Sequence, residues 1–378
     1  MDTWNARCDV PHYAKFVPIS GENSIEANDY NLNIPRYIQP ADIEIRQDID
    51  AHLHGGIPKH DVEQLSVYWA VCPSLRSMLF DETVERITLR TDKAMIADAV
   101  AADHSFIEQK NHFSRSIEAW CDKMRPLFRG LTMNIKPKAL IEEWAQSLLD
   151  IMKEDKSLVV AYDAYQQLLT YWLDTLQDDC YIISRDGWKP TLLRGTKKTV
   201  IYEDMVCDLL PISIVLNEYF ADELEEIAVI TADRDEVAAE LQTMIDAAIE
   251  EAAEDDEDEN KALTDEVKKT KEYKAKDKVR KAIDKKLKEK KAALTEAVAA
   301  KYAAFTETEV IDLVVEKKWI ATITAMIQSE MQQVTQRLTA DITVIVERYE
   351  QTLSVIDTDV ADLEAKVNSH LAKMGFSL

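Results

Sequence analysis

The residues best equipped for chemistry are few. His52, His54 and His60 lie together in HLHGGIPKH. On an extended stretch His52 and His54 would point to one side, as two metal ligands must. No cysteine or carboxylate pair is spaced to complete such a site, so turn and cap duty is the reading. Asp178-Asp179 has the form of a carboxylate pair for acid–base work, and reads as helix-end charge. Serine, histidine and aspartate are all present, but no GxSxG elbow supports a hydrolase. There is no GxGxxG, no GxxxxGK(S/T), no glycine-rich S-adenosylmethionine loop and no (D/N)PP(Y/F) tetrapeptide. Such loops are hard to replace, because only glycine lets the backbone approach a cofactor closely enough. No catalytic, cofactor-binding or metal-binding residue is therefore expected. Cys8, Cys72, Cys121, Cys180 and Cys207 are odd in number, far apart and never spaced as CxxC. They read as inert thiols in a reducing compartment.

With so little chemistry on offer, the elements that would position it carry the argument. The 378 residues suggest two or three domains, at roughly 100–200 residues each. Only 7 Gly and 10 Pro interrupt a chain rich in Ala, Glu, Lys and Leu, which favours long helices. The net charge of −25 repels nucleic acid unless a basic patch is segregated or a partner supplies one. No basic-then-apolar N-terminal stretch is visible, and apolar runs such as Leu209–Leu216 are too short to span a bilayer. A soluble, cytoplasmic chain is expected.

Residues 1–40, with Pro11, Pro18, Pro35, Pro40 and Gly21, read as an irregular connector following something upstream. A helical domain is expected over 41–235. It opens with a short helix bearing Ile43, Ile45, Ile49 and Leu53, closed by Gly55-Gly56. Asp61 is placed to cap the next helix, which carries Val62, Leu65, Tyr68 and Trp69. A further turn follows with Leu75, Met78, Leu79 and Phe80, and helical patterns continue over 92–129 and 138–179. Cys180–Ser184 is β-prone and runs into Asp186-Gly187, which predicts a small hairpin near 180–202 with a second strand at Thr199–Tyr202. Residues 250–259 then hold eight acids in ten, and 261–291 hold 14 Lys/Arg against 6 Asp/Glu. A charged helical hairpin or insertion over 236–300 is expected, read first as solvated helices and second as a DNA-contacting basic helix.

Over 301–378 the apolar residues fall mainly three or four apart: Trp319, Ile323, Met326/Ile327, Val334, Leu338, Ile342, Ile345 and Tyr349, then Ile356, Val360, Leu363, Val367, Leu371 and Met374. That spacing lays an apolar stripe along two long coiled-coil-like helices, with a stop at Gly375. The expected fold class is mainly α: a helical domain with a small β-hairpin element, followed by long C-terminal helices. The seam expected to meet a partner comprises Leu338, Ile342, Ile345, Tyr349, Ile356, Val360, Leu363, Val367, Leu371, Met374 and Phe376.

Four sets of phrases, in order along the chain, resemble the C-terminal region of the modification (M) subunit of type I restriction-modification DNA methyltransferases. They are Asn28-Asp-Tyr-Asn-Leu-Asn-Ile-Pro-Arg-Tyr37; His52-Leu-His-Gly-Gly-Ile-Pro-Lys59 with Tyr68-Trp69 and Pro73-Ser-Leu-Arg76; Tyr162-Asp-Ala-Tyr-Gln166 with Tyr171-Trp172, Gln177-Asp-Asp179 and Asp186-Gly-Trp188; and Lys317-Lys-Trp319 with Glu347-Arg-Tyr349 and His370-Leu-Ala-Lys-Met-Gly-Phe376. The resemblance singles out Asn31, Asn33, Pro35, Arg36, Tyr37, Trp172, Asp179 and Trp188 without giving them a role. It implies a parent protein that methylates adenine in DNA with S-adenosylmethionine, its cofactor and catalytic motifs lying N-terminal to residue 28. It implies partners: a specificity (S) subunit whose coiled-coil spacers receive the C-terminal helices, a second M subunit, restriction (R) subunits, and double-stranded DNA held by the assembly. This chain by itself would then be an assembly and DNA-clamp portion, inactive and without cofactor. One departure is that Arg348-Tyr349 is not followed by the proline the family often has, so either a softer turn or a continuous helix is expected there. Two other classes remain open: an acidic DNA-mimic inhibitor, suggested by the charge, and a coiled-coil scaffold unconnected with DNA.

Overall fold

A chain with few glycines and prolines and apolar residues at helical spacing folds mostly as helices. The computed structural model describes residues 17–20, 24–26, 30, 47–83, 86–154, 157–195, 201–252 and 257–374. In chain order the helices and strands are α1 (Ile49–His54), α2 (Lys59–Glu63), α3 (Ser66–Val71), α4 (Pro73–Leu79), β1 (Phe80–Glu82), β2 (Ile87–Leu89), α5 (Ile96–Ala102), α6 (His104–Arg129), α7 (Pro137–Glu154), α8 (Ala161–Tyr171), α9 (Gln177–Asp186), β3 (Leu193–Arg194), β4 (Met205–Val206), α10 (Ile212–Tyr219), α11 (Ala221–Ala252), α12 (Glu257–Lys269), α13 (Lys271–Ala304), α14 (Glu307–Asp312), α15 (Ala321–Arg348) and α16 (Leu353–Lys373). A π-helical turn, Trp172–Leu176, joins α8 to α9, and a second, Leu313–Ile320, joins α14 to α15. The fold is mainly α with two small antiparallel ribbons, as the composition implies.

Two compact units emerge, and neither is one continuous stretch of chain. Unit 1 takes the described residues through Ile117, Leu148–Gln166 and those from Ile327 onward. Its core holds Val62, Leu65, Leu75, Leu79, Phe80, Ile87, Ile96 and Phe106, together with Leu338, Ile342, Ile345 and Tyr349 of α15 and the turn after it. Its ribbon pairs β1 with β2 in the register Phe80↔Leu89 and Glu82↔Ile87, and Ile57 adds a bridge to Ile87. Phe80, expected in a helical turn, therefore opens a strand. Asp61, expected as a cap, lies inside α2 and is buried, while Pro58 takes the cap position. Gly55 does end α1, at φ 79°.

Unit 2 comprises Glu118–Ser147 and Gln167–Met326. Its core is aromatic: the Phe128 ring meets Trp144 at 4.8 Å, Trp319 at 5.5 Å and Trp120 at 6.3 Å, each edge to face. That arrangement sets the positive edge of one ring against the negative face of the next. The hairpin expected over 180–202 is corrected. Cys180–Ser184 is helical and the pairing strands are β3 and β4, in register Leu193↔Val206 and Arg194↔Met205. Trp172, Leu176, Cys180 and Ile183 are all buried, and their spacing of three and four is that of one helix face. That stripe outweighs the β preference of Tyr181-Ile-Ile183. Gly187, at φ 71°, is the helix stop, where a left-handed residue releases the chain. The charged stretch forms a hairpin in which α13 lies along α11.

Candidate functional site

The most heavily constrained polar group of unit 2 is Asp179, which is only 2% exposed. It is not at a helix end: the chain is helical from Ala161 through Asp186, with Asp179 in the first turn after the π segment. The second π segment supplies its partners. An α-helix turns 100° per residue and buries one stripe, yet Leu313–Val315 and Lys318–Ile320 are buried as consecutive triplets. The wider π turn makes room for that.

Lys318 Nζ lies 2.8 Å from Asp179 Oδ1 and 2.7 Å from Oδ2. It also donates to the carbonyls of Asp208 at 2.7 Å and Leu209 at 3.0 Å. An ammonium has three protons, and all three have acceptors here. Trp319 Nε1 donates to Asp179 Oδ2 at 2.8 Å, and the Tyr171 hydroxyl donates to the Lys318 carbonyl at 3.1 Å. Burial pushes the Asp179 carboxyl above the usual range, and Lys318 and Trp319 pull against it. Trp188 packs on Trp319 at 5.6 Å and donates its indole N–H to Leu131 O at 2.8 Å. Trp172 meets Trp144 at 6.0 Å. Asp179 and Trp188 thus form one node with Lys318 and Trp319, and Trp172 joins it through the rings of Trp144 and Phe128. The Asp179 carboxylate, the Lys318 ammonium and the Trp319 and Trp188 indole N–H groups all have internal partners, and the Asp179–Lys318 pair ties α9, the 207–211 loop and the second π segment together. Lys318 was missed in the sequence, although the Lys317-Lys-Trp319 phrase contains it. A lysine beside an apolar stripe reads as a solvated residue until the acid it meets is known.

A second node lies in unit 1. The Tyr349 ring stands 5.0 Å from that of His52, and its hydroxyl accepts the Asp48 N–H at 3.4 Å. Arg348 Nη1 is 3.5 Å from the buried Asp61 Oδ1. The phrases around His52 and Arg348-Tyr349 meet here, as those around Asp179 and Trp319 meet in unit 2. The three histidines do not converge: His52 pairs with Gln47, His54 with Asp50 and His60 with Asp61. Among the described residues no group of three His, Cys, Asp or Glu could hold a metal ion.

The expected partner seam divides in two. Leu338, Ile342, Ile345 and Tyr349 are buried in the core of unit 1, so they are corrected from interface to core. The helix breaks between Arg348 and Leu353 without a proline, the softer turn of the two alternatives. Beyond the break Ile356, Val360 (48% exposed), Leu363 (58%), Val367 (56%) and Met374 face solvent, and Leu371 is half-buried. With Leu353 they run 353, 356, 360, 363, 367 and 374, the a and d positions of three heptads with His370 at the remaining d. Phe376, Gly375 and the phrase containing Asn31, Asn33, Pro35, Arg36 and Tyr37 lie outside the described residues.

No protein-family model, curated protein or solved structure matches this chain. Among the described residues no helix is long and apolar enough to cross a membrane.

Proposed function

We propose that this chain is the assembly and DNA-clamp portion of a type I restriction-modification M subunit, docking through α16 on the coiled-coil spacer of an S subunit. The observation that carries the reading is the heptad seam of Leu353, Ile356, Val360, Leu363 and Val367, exposed along one helix. A coiled-coil stripe of this length has little use without a facing helix. The family-like phrases add support, because those around His52 and Arg348-Tyr349 meet inside unit 1 and those around Asp179 and Trp319 meet inside unit 2. In the parent protein S-adenosylmethionine and the methylation of adenine would belong to residues N-terminal to these phrases. A second M subunit, R subunits and duplex DNA would join through the assembly.

The test is co-purification with the cognate S subunit. Leu363 has 58% of its surface still to bury. At 1.5–3 kcal/mol for a whole leucine, its truncation costs about 1–1.5 kcal/mol of association. Leu363→Ala is expected to weaken S-subunit binding about five- to tenfold, and Val360→Ser/Leu363→Ser to abolish co-purification with the fold intact. Undiminished capture of the double variant refutes α16 as the contact. Equal capture of an enzyme's DNA channel without any S subunit would favour the DNA-mimic class.

A further inference from the structure

The charged hairpin sorts its charges. Helix α11 is strongly acidic and α13 strongly basic, and they lie side by side. The lysines on the inner edge of α13 are consumed by acids of unit 2: Lys276 pairs with Glu240 at 2.7 Å, Lys290 with Glu226 at 2.6 Å and Lys291 with Glu203 at 2.8 Å. What remains is a row on the outer edge: Lys271, Lys274, Lys278, Lys281, Lys285 and Lys288, all exposed and spaced three, four, three, four and three residues apart. That spacing puts them on one face. At 1.5 Å per residue the row is about 26 Å long. Lys281 is 2.7 Å from Asp277 on its own helix and Lys285 is 3.8 Å from Glu289. Glu272 is exposed beside the start of the row. Among the described residues no carboxylate stands within ion-pair distance of Lys271, Lys274, Lys278 or Lys288.

We propose that this outer face of α13 binds the phosphate backbone of double-stranded DNA without regard to sequence. A straight row of ammonium groups complements a polyanion that carries one charge per roughly 1.7 Å of axis. Three features favour duplex DNA over other polyanions. Between the lysines of the row the exposed residues are Glu272, Ala275, Val279, Ala282 and Lys286, and Tyr273 is half-buried, so the face offers no exposed aromatic platform on which single-stranded bases stack. Nor does it offer the bulky apolar stripe with which a helix enters a membrane surface. Protein interfaces are depleted in lysine, and a face with six of them and one valine is a poor site for an acidic protein. The net charge of −25 does not forbid the contact, because repulsion from distant acids is screened beyond about 10 Å at 0.1 M salt. The inference rests on the placement of charge and not on the assembly reading, and its test uses no partner subunit.

The test is fluorescence anisotropy of a labelled mixed-sequence duplex with the full chain, across a salt series. Four free lysines contacting phosphate give a log–log salt slope near −3.6, or about a 100-fold loss of affinity between 50 and 200 mM salt. The set Lys271→Gln, Lys274→Gln, Lys278→Gln and Lys288→Gln is expected to flatten that slope by about 3 and weaken binding more than tenfold at low salt. Glutamine keeps helix propensity, and the matching Lys→Arg set should retain both slope and affinity. Glutamines at Lys110, Lys123, Lys136 and Lys138 should change neither. The proposal is overturned if wild type ignores the duplex at low salt, or if the four-Gln set leaves the slope unchanged. It is also overturned if a single strand of equal length binds more tightly, or if polyglutamate of equal charge displaces the duplex as well as unlabelled duplex does.

Discussion

Lys318→Met removes the cation beside Asp179 while keeping most of the side-chain volume. Asp179 is 2% exposed, so the carboxylate is left buried with the Trp319 indole N–H as its remaining side-chain donor. Removing one partner of a buried pair costs about 3–5 kcal/mol, whereas replacing both by apolar groups is often near neutral. Lys318→Met is therefore expected to lose about 3–5 kcal/mol at pH 7, and Asp179→Leu/Lys318→Met to recover at least about 2 kcal/mol of it. The carbonyls of Asp208 and Leu209 lose their donor in both variants, so their cost cancels in the comparison. Urea unfolding followed by tryptophan fluorescence reads the event, since five of the seven tryptophans lie in unit 2. The pH dependence gives an independent check. Burial already raises the Asp179 carboxyl, and loss of Lys318 raises it further. A folded state that holds a proton more tightly than the unfolded one gains stability as pH falls through the folded-state pKa. The deficit of Lys318→Met should thus be full at pH 7 and shrink on acidification. A single variant costing under about 1 kcal/mol, or a double variant as unstable as the two singles summed, would refute the buried lock.

Burial pushes the Cys72 thiol up to about 11 and the Cys180 thiol up to about 12, and raises Cys121 and Cys207 as well. Since the thiolate is the reactive form, none of the four is expected to react with a thiol reagent at pH 8 until denaturant is added; labelling of any of them in the native chain, mapped by mass spectrometry, would contradict that. Glu309 closes a capping box with Thr306 and pairs with Lys301, which together with the Thr306 N–H hold its carboxyl at about 2. Its folded-state pKa is depressed, so its contribution is present above about 4.5 and lost as pH falls toward 2. In Glu309→Gln that part of the acid sensitivity of the α14 start should vanish, as followed by amide exchange at Thr306.

The sequence by itself determined the fold class. Sparse breakers and apolar residues three or four apart leave a helix as the only way to bury one face, and the periodicity from Trp319 to Met374 was legible for that reason. It also marked Trp172, Asp179 and Trp188 as a set, though not what they do. Tertiary structure decided which part of the seam is free. Leu338 and Leu363 carry equivalent signals, because a local pattern records that a residue wants cover and not where the cover is. Unit 1 supplies it to Leu338, while Leu363 stays exposed. Distance along the chain hid the rest: Asp179 meets Lys318 across 139 residues and Arg348 meets Asp61 across a still longer separation, so neither acid could be told from an ordinary surface or cap residue. The helix through Cys180–Ile183 was concealed by β-prone side chains, whose preference yields once a buried face is there to receive them. The same limit applied to the lysines of α13: composition showed how many there were, and only the facing acids of unit 2 determined which of them are spent.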